Sequence, residues 1–165
     1  NGSIMFVACF KTEENWLAQC GIDFKNKEQV LEWFKKEFAG WSDRWYEFIT
    51  NDEVYFIPRP QYYFPLNQTW ETQENLTMIG DATHWMPPFA GEGANVALQD
   101  SFELADCLTG NKFSNIKTAL SHFEKEMVVR GAEATKDTLE NTERMFSGTA
   151  LKQMAAFFNH VKEEQ

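Results

Sequence analysis

"GDATHWMPPFAGEGAN", residues 80–95, decides how this chain is read. It completes a compact apolar run, "LTMIG" (76–80), whose residue types predict a strand. Asp81 then falls at the carboxyl end of that strand, where α/β folds bind ligands. Pro87 and Pro88 fix an extended backbone without amide donors, a stiff wall. Gly91 and Gly93 let backbone approach a flat ligand with no Cβ in the way. A helix predicted from Gly93 to about Leu108 points the unpaired amides of Gly93, Ala94 and Asn95 at the same place.

Each part suits a different piece of one ligand. A carboxylate accepts hydrogen bonds from polyol hydroxyls, and bare glycines beside prolines suit a flat ring. Helix amides favour an electron-rich or anionic edge. Polyol, flat ring and an edge that turns negative on reduction together describe a flavin. The alternative is a strand–loop–helix connection whose glycines and prolines only make turns. A lone G-x-G would favour that alternative; the whole string does not.

Composition narrows the rest. The chain has 165 residues, 43% apolar and 15% aromatic, enough for a real core. Its net charge of −10 repels phosphate backbones, so no nucleic-acid partner is expected. There is no run of 18 apolar residues, so no membrane partner is expected either. Three well-separated cysteines, Cys9, Cys20 and Cys107, read as reduced core thiols in a cytoplasmic protein. His84, His122 and His160 lack neighbours at ligand spacing, so no metal is expected. The start has no basic leader and no methionine, and the chain reads as a piece of a longer protein.

Outside the opening stretch, strands are predicted at "IMFVACF" (4–10), "EVYFI" (53–57) and "QYYFP" (61–65). Asn26 should cap a helix from Lys27 that ends at Gly40, with Val30, Leu31, Phe34 and Phe38 on one face. Ser42 should cap a second short helix carrying Trp45, Phe48 and Ile49. The helix after Gly93 has Ala94, Ala97, Leu98, Phe102, Ala105 and Leu108 at three- and four-residue steps. A long helix over about 114–146 places Ile116, Leu120, Phe123, Met127 and Ala134 on one face, and Gly148 precedes a last helix from Leu151 to about Val161.

"TMIGDATHWMPPFAGEGANVALQDS" resembles the second flavin-binding motif of the FAD-dependent aromatic hydroxylases, the p-hydroxybenzoate hydroxylase family. "FKTEENW" (10–16), "KEFAGW" (36–41), "FPL" (64–66) and "NKFSNIKTALSHFEKEM" (111–127) look like one branch of it, the tetracycline-inactivating flavin monooxygenases. The resemblance implies a mixed α/β (α+β) fold. Residues 1–70 would be the end of an antiparallel-sheet substrate domain, 71–112 the second flavin motif of a Rossmann-like FAD domain, and 113–165 carboxyl-terminal helices. It implies FAD as cofactor, with NADPH or NADH as reductant, held by Gly80, Asp81, Pro88, Phe89, Gly91, Gly93, Ala94 and Asn95. The family's G-x-G-x-x-G and internal D-G segments are absent here, so the missing amino-terminal part of the same protein is the implied partner.

In the intact family an aromatic or polycyclic substrate is hydroxylated through a flavin C4a-hydroperoxide. The cofactor carries the hard chemistry, so no side chain is expected to be catalytic. The resemblance places substrate contacts at Met5, Val7, Pro88, Phe89, Asn141 and Met145. For Met145 core packing is the competing reading, and for His84 a structural hydrogen bond competes with a proton shuttle. Met5 and Val7 stand where the branch has histidine and glycine, which favours a less polar substrate than tetracycline. A flavin dehydrogenase or halogenase, and a folded fragment unable to hold FAD alone, remain the alternatives.

Overall fold

The computed structural model describes residues 4–163; residues 1–3, part of the start read above as lacking a leader, lie outside them. The chain divides into two units, Asn1–Pro60 and Gln61–Gln165. In the first, α1 (Trp16–Gln19), α2 (Lys27–Glu37), a 3-10 turn (Asp43–Tyr46) and α3 (Glu47–Thr50) follow one another. Asn26 caps α2 as its residue type demands, its Oδ1 accepting the Gln29 amide at 3.1 Å. Gln29 in turn reaches back with Oε1 to the Asp23 amide at 2.8 Å, which fixes the entry of the chain. Ser42 Oγ accepts the Arg44 amide at 3.4 Å and opens the 3-10 turn. Val30, Phe34 and Ile49 form the buried core, with Phe6, Phe24, Trp33 and Phe38 packed around them. Phe34 and Phe38 rings stand 4.5 Å apart, and Phe6 meets Phe34 edge-on at 6.1 Å.

The second unit contains α4 (Asp81–His84), a 3-10 turn (Pro88–Ala90), α5 (Gly93–Thr109), α6 (Ile116–Met145) and α7 (Ala150–Glu163). Asn115 caps α6, its Oδ1 accepting the Thr118 amide at 2.9 Å. Leu120, Phe123 and Met127 form the buried face of α6 as the periodicity predicts, whereas Ile116 is exposed. On α5 the expected apolar stripe faces outward: Leu98 is 62% and Phe102 79% exposed, and the buried residues are Val96 and Asp100. That helix is tied to α6 by Asp100 and Glu103, both paired with Arg130.

The strand expectations do not hold. Segments 4–10, 53–57, 61–65 and 76–80 carry no regular structure, and there is no strand or sheet among the described residues. The α/β assignment, with a Rossmann-like domain and an antiparallel substrate sheet, is therefore corrected to a helical structure joined by irregular segments. Aromatic and apolar residues favour extended backbone, but a strand exists only with a partner's ladder of hydrogen bonds. Phe64 donates its amide to the Trp85 carbonyl at 3.0 Å, a single bond rather than a ladder. What survives is the period of two. Phe6 and Ala8 pack against the first core, while Met5 and Val7 are 86% and 65% exposed. The cysteines are free, but none is a core residue: Cys9 is exposed and the other two half-buried. No described helix is long and apolar enough to cross a membrane.

Candidate cofactor site

Gly80 adopts φ 61°, ψ −140°, a conformation open essentially to glycine alone. It turns the chain into α4, so Asp81 opens a helical turn instead of ending a strand. After α4, Pro87 is extended and Pro88 begins the 3-10 turn, which Gly91 closes in the left-handed region at φ 71°. Glu92 provides no side-chain cap for α5, and no acidic residue lies in that helix's first turn. Its first amides are left for another acceptor.

These turns surround a cleft of about 560 Å³, within the range of roughly 300–1,000 Å³ usual for small-molecule sites. Asp81, Pro88, Gly91, Gly93 and Ala94 line it, joined by Met86, Pro87 and Ala97. A Cβ built on Gly91 or Gly93 would meet nothing within 4 Å, so both backbones stand open. Gly80 is buried beneath, where an added Cβ would sit 3.2 Å from that of Ala97. Phe89 is not in the lining; its ring packs edge-on against Phe146 at 5.4 Å. Asn95 is exposed in the first turn of α5. Asn141 lines a second cleft of about 350 Å³ with Glu92, Asp137, Glu140 and Arg144. Met145 is exposed in the last turn of α6, and Met5 and Val7 belong to the first unit.

Beneath the cleft lies a polar network that the sequence did not announce. Asp100 of α5 is fully buried and accepts the Gly80 amide at 2.9 Å through Oδ2. His84 Nε2 lies 2.6 Å from the same oxygen; an ionised carboxylate only accepts, so the imidazole donates. Arg130 of α6 donates to Asp100 Oδ1 at 2.9 Å and to Glu103 Oε2 at 2.6 Å. Burial would push the Asp100 carboxyl up, but the bonds from Arg130, His84 and the Gly80 amide outweigh it and hold the group below its ordinary value. Burial likewise disfavours the Arg130 cation, and its hydrogen bonds to Asp100 and Glu103 more than restore it. His84 is thus a buried hydrogen-bonding residue, the structural reading of the two raised for it.

Two more α6 residues hold the turn. Thr138 donates its hydroxyl to the Pro87 carbonyl at 2.9 Å and accepts the Ala90 amide at 2.9 Å. Gly131 allows His84 to lie against the helix, since a Cβ there would sit 2.7 Å from His84 Cβ. The available signal for Asp100 was a carboxylate set between Leu98 and Phe102 in an apolar helix; nothing in the sequence marked Thr138 or Gly131.

Residues 5–111 match the FAD binding domain family. The chain belongs to that family. FAD is its cofactor. Among curated relatives it is 30% identical over 95 residues to the FAD-dependent monooxygenase phnB of Penicillium herquei, covering 56% of this chain and 23% of that protein. It is 30% identical over 147 residues to a chloroplastic zeaxanthin epoxidase of an Oncidium hybrid, covering 79% and 22%. It is 29% identical over 154 residues to the monooxygenase asqM of Emericella nidulans, covering 80% and 35%. The chain thus spans about a third or less of the length of these relatives. Its cleft, with open glycine backbones and an uncapped helix start, has the size and lining to take part of an FAD molecule.

Proposed function

We propose that this chain is the flavin-ring portion of an FAD- and NAD(P)H-dependent monooxygenase acting on an aromatic or polycyclic substrate. The observation that carries the reading is one cleft bounded by Asp81, the Pro87-Pro88 wall and the uncapped start of α5. Bound FAD would supply the redox and oxygen-activating chemistry. Asp81 would accept hydrogen bonds from the ribityl hydroxyls, with Gly80 setting its turn. The backbones of Gly91 and Gly93 would lie against the ring, and the amides of Gly93, Ala94 and Asn95 would stabilise its electron-rich edge. Pro87 and Pro88 would form the wall beside the ring, excluding water, while Phe89 packs away from the cleft on Phe146.

The activities in the relatives' names support the monooxygenase class, and their greater length supports a longer flavoprotein as the working unit. The uncovered stripe of Leu98 and Phe102 is a surface for the remainder of such a protein. Met5 and Val7 in the first unit, and Asn141 and Met145 in the second, are each proposed to contact substrate. Met5 and Val7, apolar and exposed, favour a substrate less polar than tetracycline. The test is coupled product formation by the FAD-loaded protein with NADPH or NADH, across phenols, apolar polycycles and tetracyclines. The reading expects coupled oxygenation of a phenol or apolar polycycle above that of tetracyclines. Reductant consumption with no oxygenated product from any of them would reject it.

A further inference from the structure

We infer that Asp100 is the positioning residue of the flavin site, its carboxylate gripping both ends of the turn that presents Asp81. A single oxygen, Oδ2, takes the Gly80 amide at 2.9 Å and the His84 Nε2 at 2.6 Å. Gly80 immediately precedes Asp81, and His84 is the last residue of α4. Both ends of a four-residue turn therefore hang on one atom.

The turn needs such a grip. Gly80 sits at φ 61°, ψ −140°, and sparsely populated backbone persists only where its surroundings over-determine it. Thr83 Oγ1 donates to the Gly80 carbonyl at 2.9 Å from within the turn. Asp100 supplies the matching acceptor for the amide from outside it. The carboxylate is itself fixed. Arg130 holds its other oxygen at 2.9 Å and is held in turn by Glu103, one helical turn along α5. Rotation of the carboxylate would break three bonds at once.

A purely stabilising role would not require this residue. Replacing a buried charged group by a well-packed apolar one is often neutral or favourable for stability. What an apolar residue could not do is accept an amide from a glycine-only turn and an imidazole at the turn's far end. The carboxylate also lies in the middle of α5, the same helix whose uncapped first turn, Gly93 and Ala94, lines the cleft. Asp81 and the amides of that first turn, the two polar elements of the cofactor site, are thereby referenced to one residue.

The inference rests on Asp81 facing the cofactor, so the experiment separates the two. FAD dissociation constants are measured by flavin fluorescence for the holoenzyme and for Asp100→Asn, Asp81→Asn and Phe123→Leu. Thermal midpoints of the apo forms are measured alongside. Asp100→Asn keeps the shape and one acceptor but loses the paired charge. The expected result is FAD affinity weakened about tenfold for both aspartate variants, the effect of losing one charge-assisted hydrogen bond. Phe123→Leu, a core change that removes none of the hydrogen bonds to the turn, lowers the midpoint and leaves FAD affinity unchanged. The Gly80 amide proton resonance should also move upfield in Asp100→Asn as its acceptor weakens. An effect of Asp81→Asn with none of Asp100→Asn overturns the positioning role. No effect of either overturns the site itself. Should Asp100→Asn fail to fold, His84→Gln and His84→Leu decide: retention by Gln, which can donate to Asp100, with loss by Leu supports the grip, and equal affinities overturn it.

Discussion

In the first unit the buried residues are Val30, Phe34 and Ile49, enclosed by aromatic rings, and no buried polar residue belongs to it among the described residues. In the second, Thr83, His84, Asp100, Glu124, Thr135 and Thr138 are buried beside Met86, Val96, Leu120, Phe123 and Met127. The contrast separates two uses of burial. Aromatic packing is tolerant of direction and holds a shape through area removed from water. Buried hydrogen bonds are directional, and here they converge on the segment 80–90, whose backbone has to be held in conformations it would not choose alone. Glu124 extends the same pattern upstream, accepting the hydroxyls of Thr72 at 2.5 Å and Thr77 at 2.8 Å and pinning the approach to Gly80 onto α6.

The sharpest way to break this contrast is to damage each unit by the kind of contact that holds it. Phe34→Ala should cost the first unit about 3–5 kcal/mol, by the usual cavity cost for a buried aromatic, and leave FAD affinity unchanged. Chemical denaturation followed by tryptophan fluorescence, with an FAD titration alongside, checks both halves. A large loss of FAD affinity would show that the cofactor site depends on the aromatic core.

A smaller effect is expected from Gly131→Ala in the second unit. Its Cβ would fall 2.7 Å from His84 Cβ, so the histidine must shift away from α6. The overpacking cost of about 1–3 kcal/mol works against the roughly 1 kcal/mol that alanine gains in a helix. Stability should therefore change little while FAD affinity falls, because the far end of the turn has moved. Unchanged affinity with a shifted melting midpoint would make Gly131 a packing residue only.

The smallest effect concerns pH. The folded Asp100 carboxyl titrates below its ordinary 3.8, so it stabilises the second unit fully above that value. That contribution is lost as pH falls through the lower folded value. Wild type should thus lose stability on acidification from about pH 5 toward 2, and Asp100→Asn should show a shallower acid limb. Parallel profiles for the two proteins would remove the carboxylate from the account.

Helix α2 was legible because it is signalled twice, by the Asn26 cap and by the spacing of Val30 and Phe34, and α6 because Leu120, Phe123 and Met127 recur at helical steps. The strands were not, because "IMFVACF" and "EVYFI" record a local preference while a sheet depends on a partner. The cleft's lining was legible in Asp81, Pro88 and Gly91, which bring a charge, a fixed φ and a left-handed backbone into one short segment. Its support was not. Asp100, Arg130, Gly131 and Thr138 act on the turn from 16 to 51 residues away in sequence, and a single sequence carries no sign of such pairings. The outward stripe on α5 misled for the same reason: Leu98 and Phe102 announce burial without naming what buries them.

The central claim is that the flavin ring occupies the cleft between Asp81 and the start of α5. Ala94→Trp tests it most directly, because Ala94 is exposed, lines that cleft and sits in the first turn of a helix that tolerates the change. The account predicts an apo protein with unchanged helix content and thermal midpoint, and FAD binding weakened at least about a hundredfold by the indole filling the ring's place. Wild-type FAD affinity in that variant would contradict it.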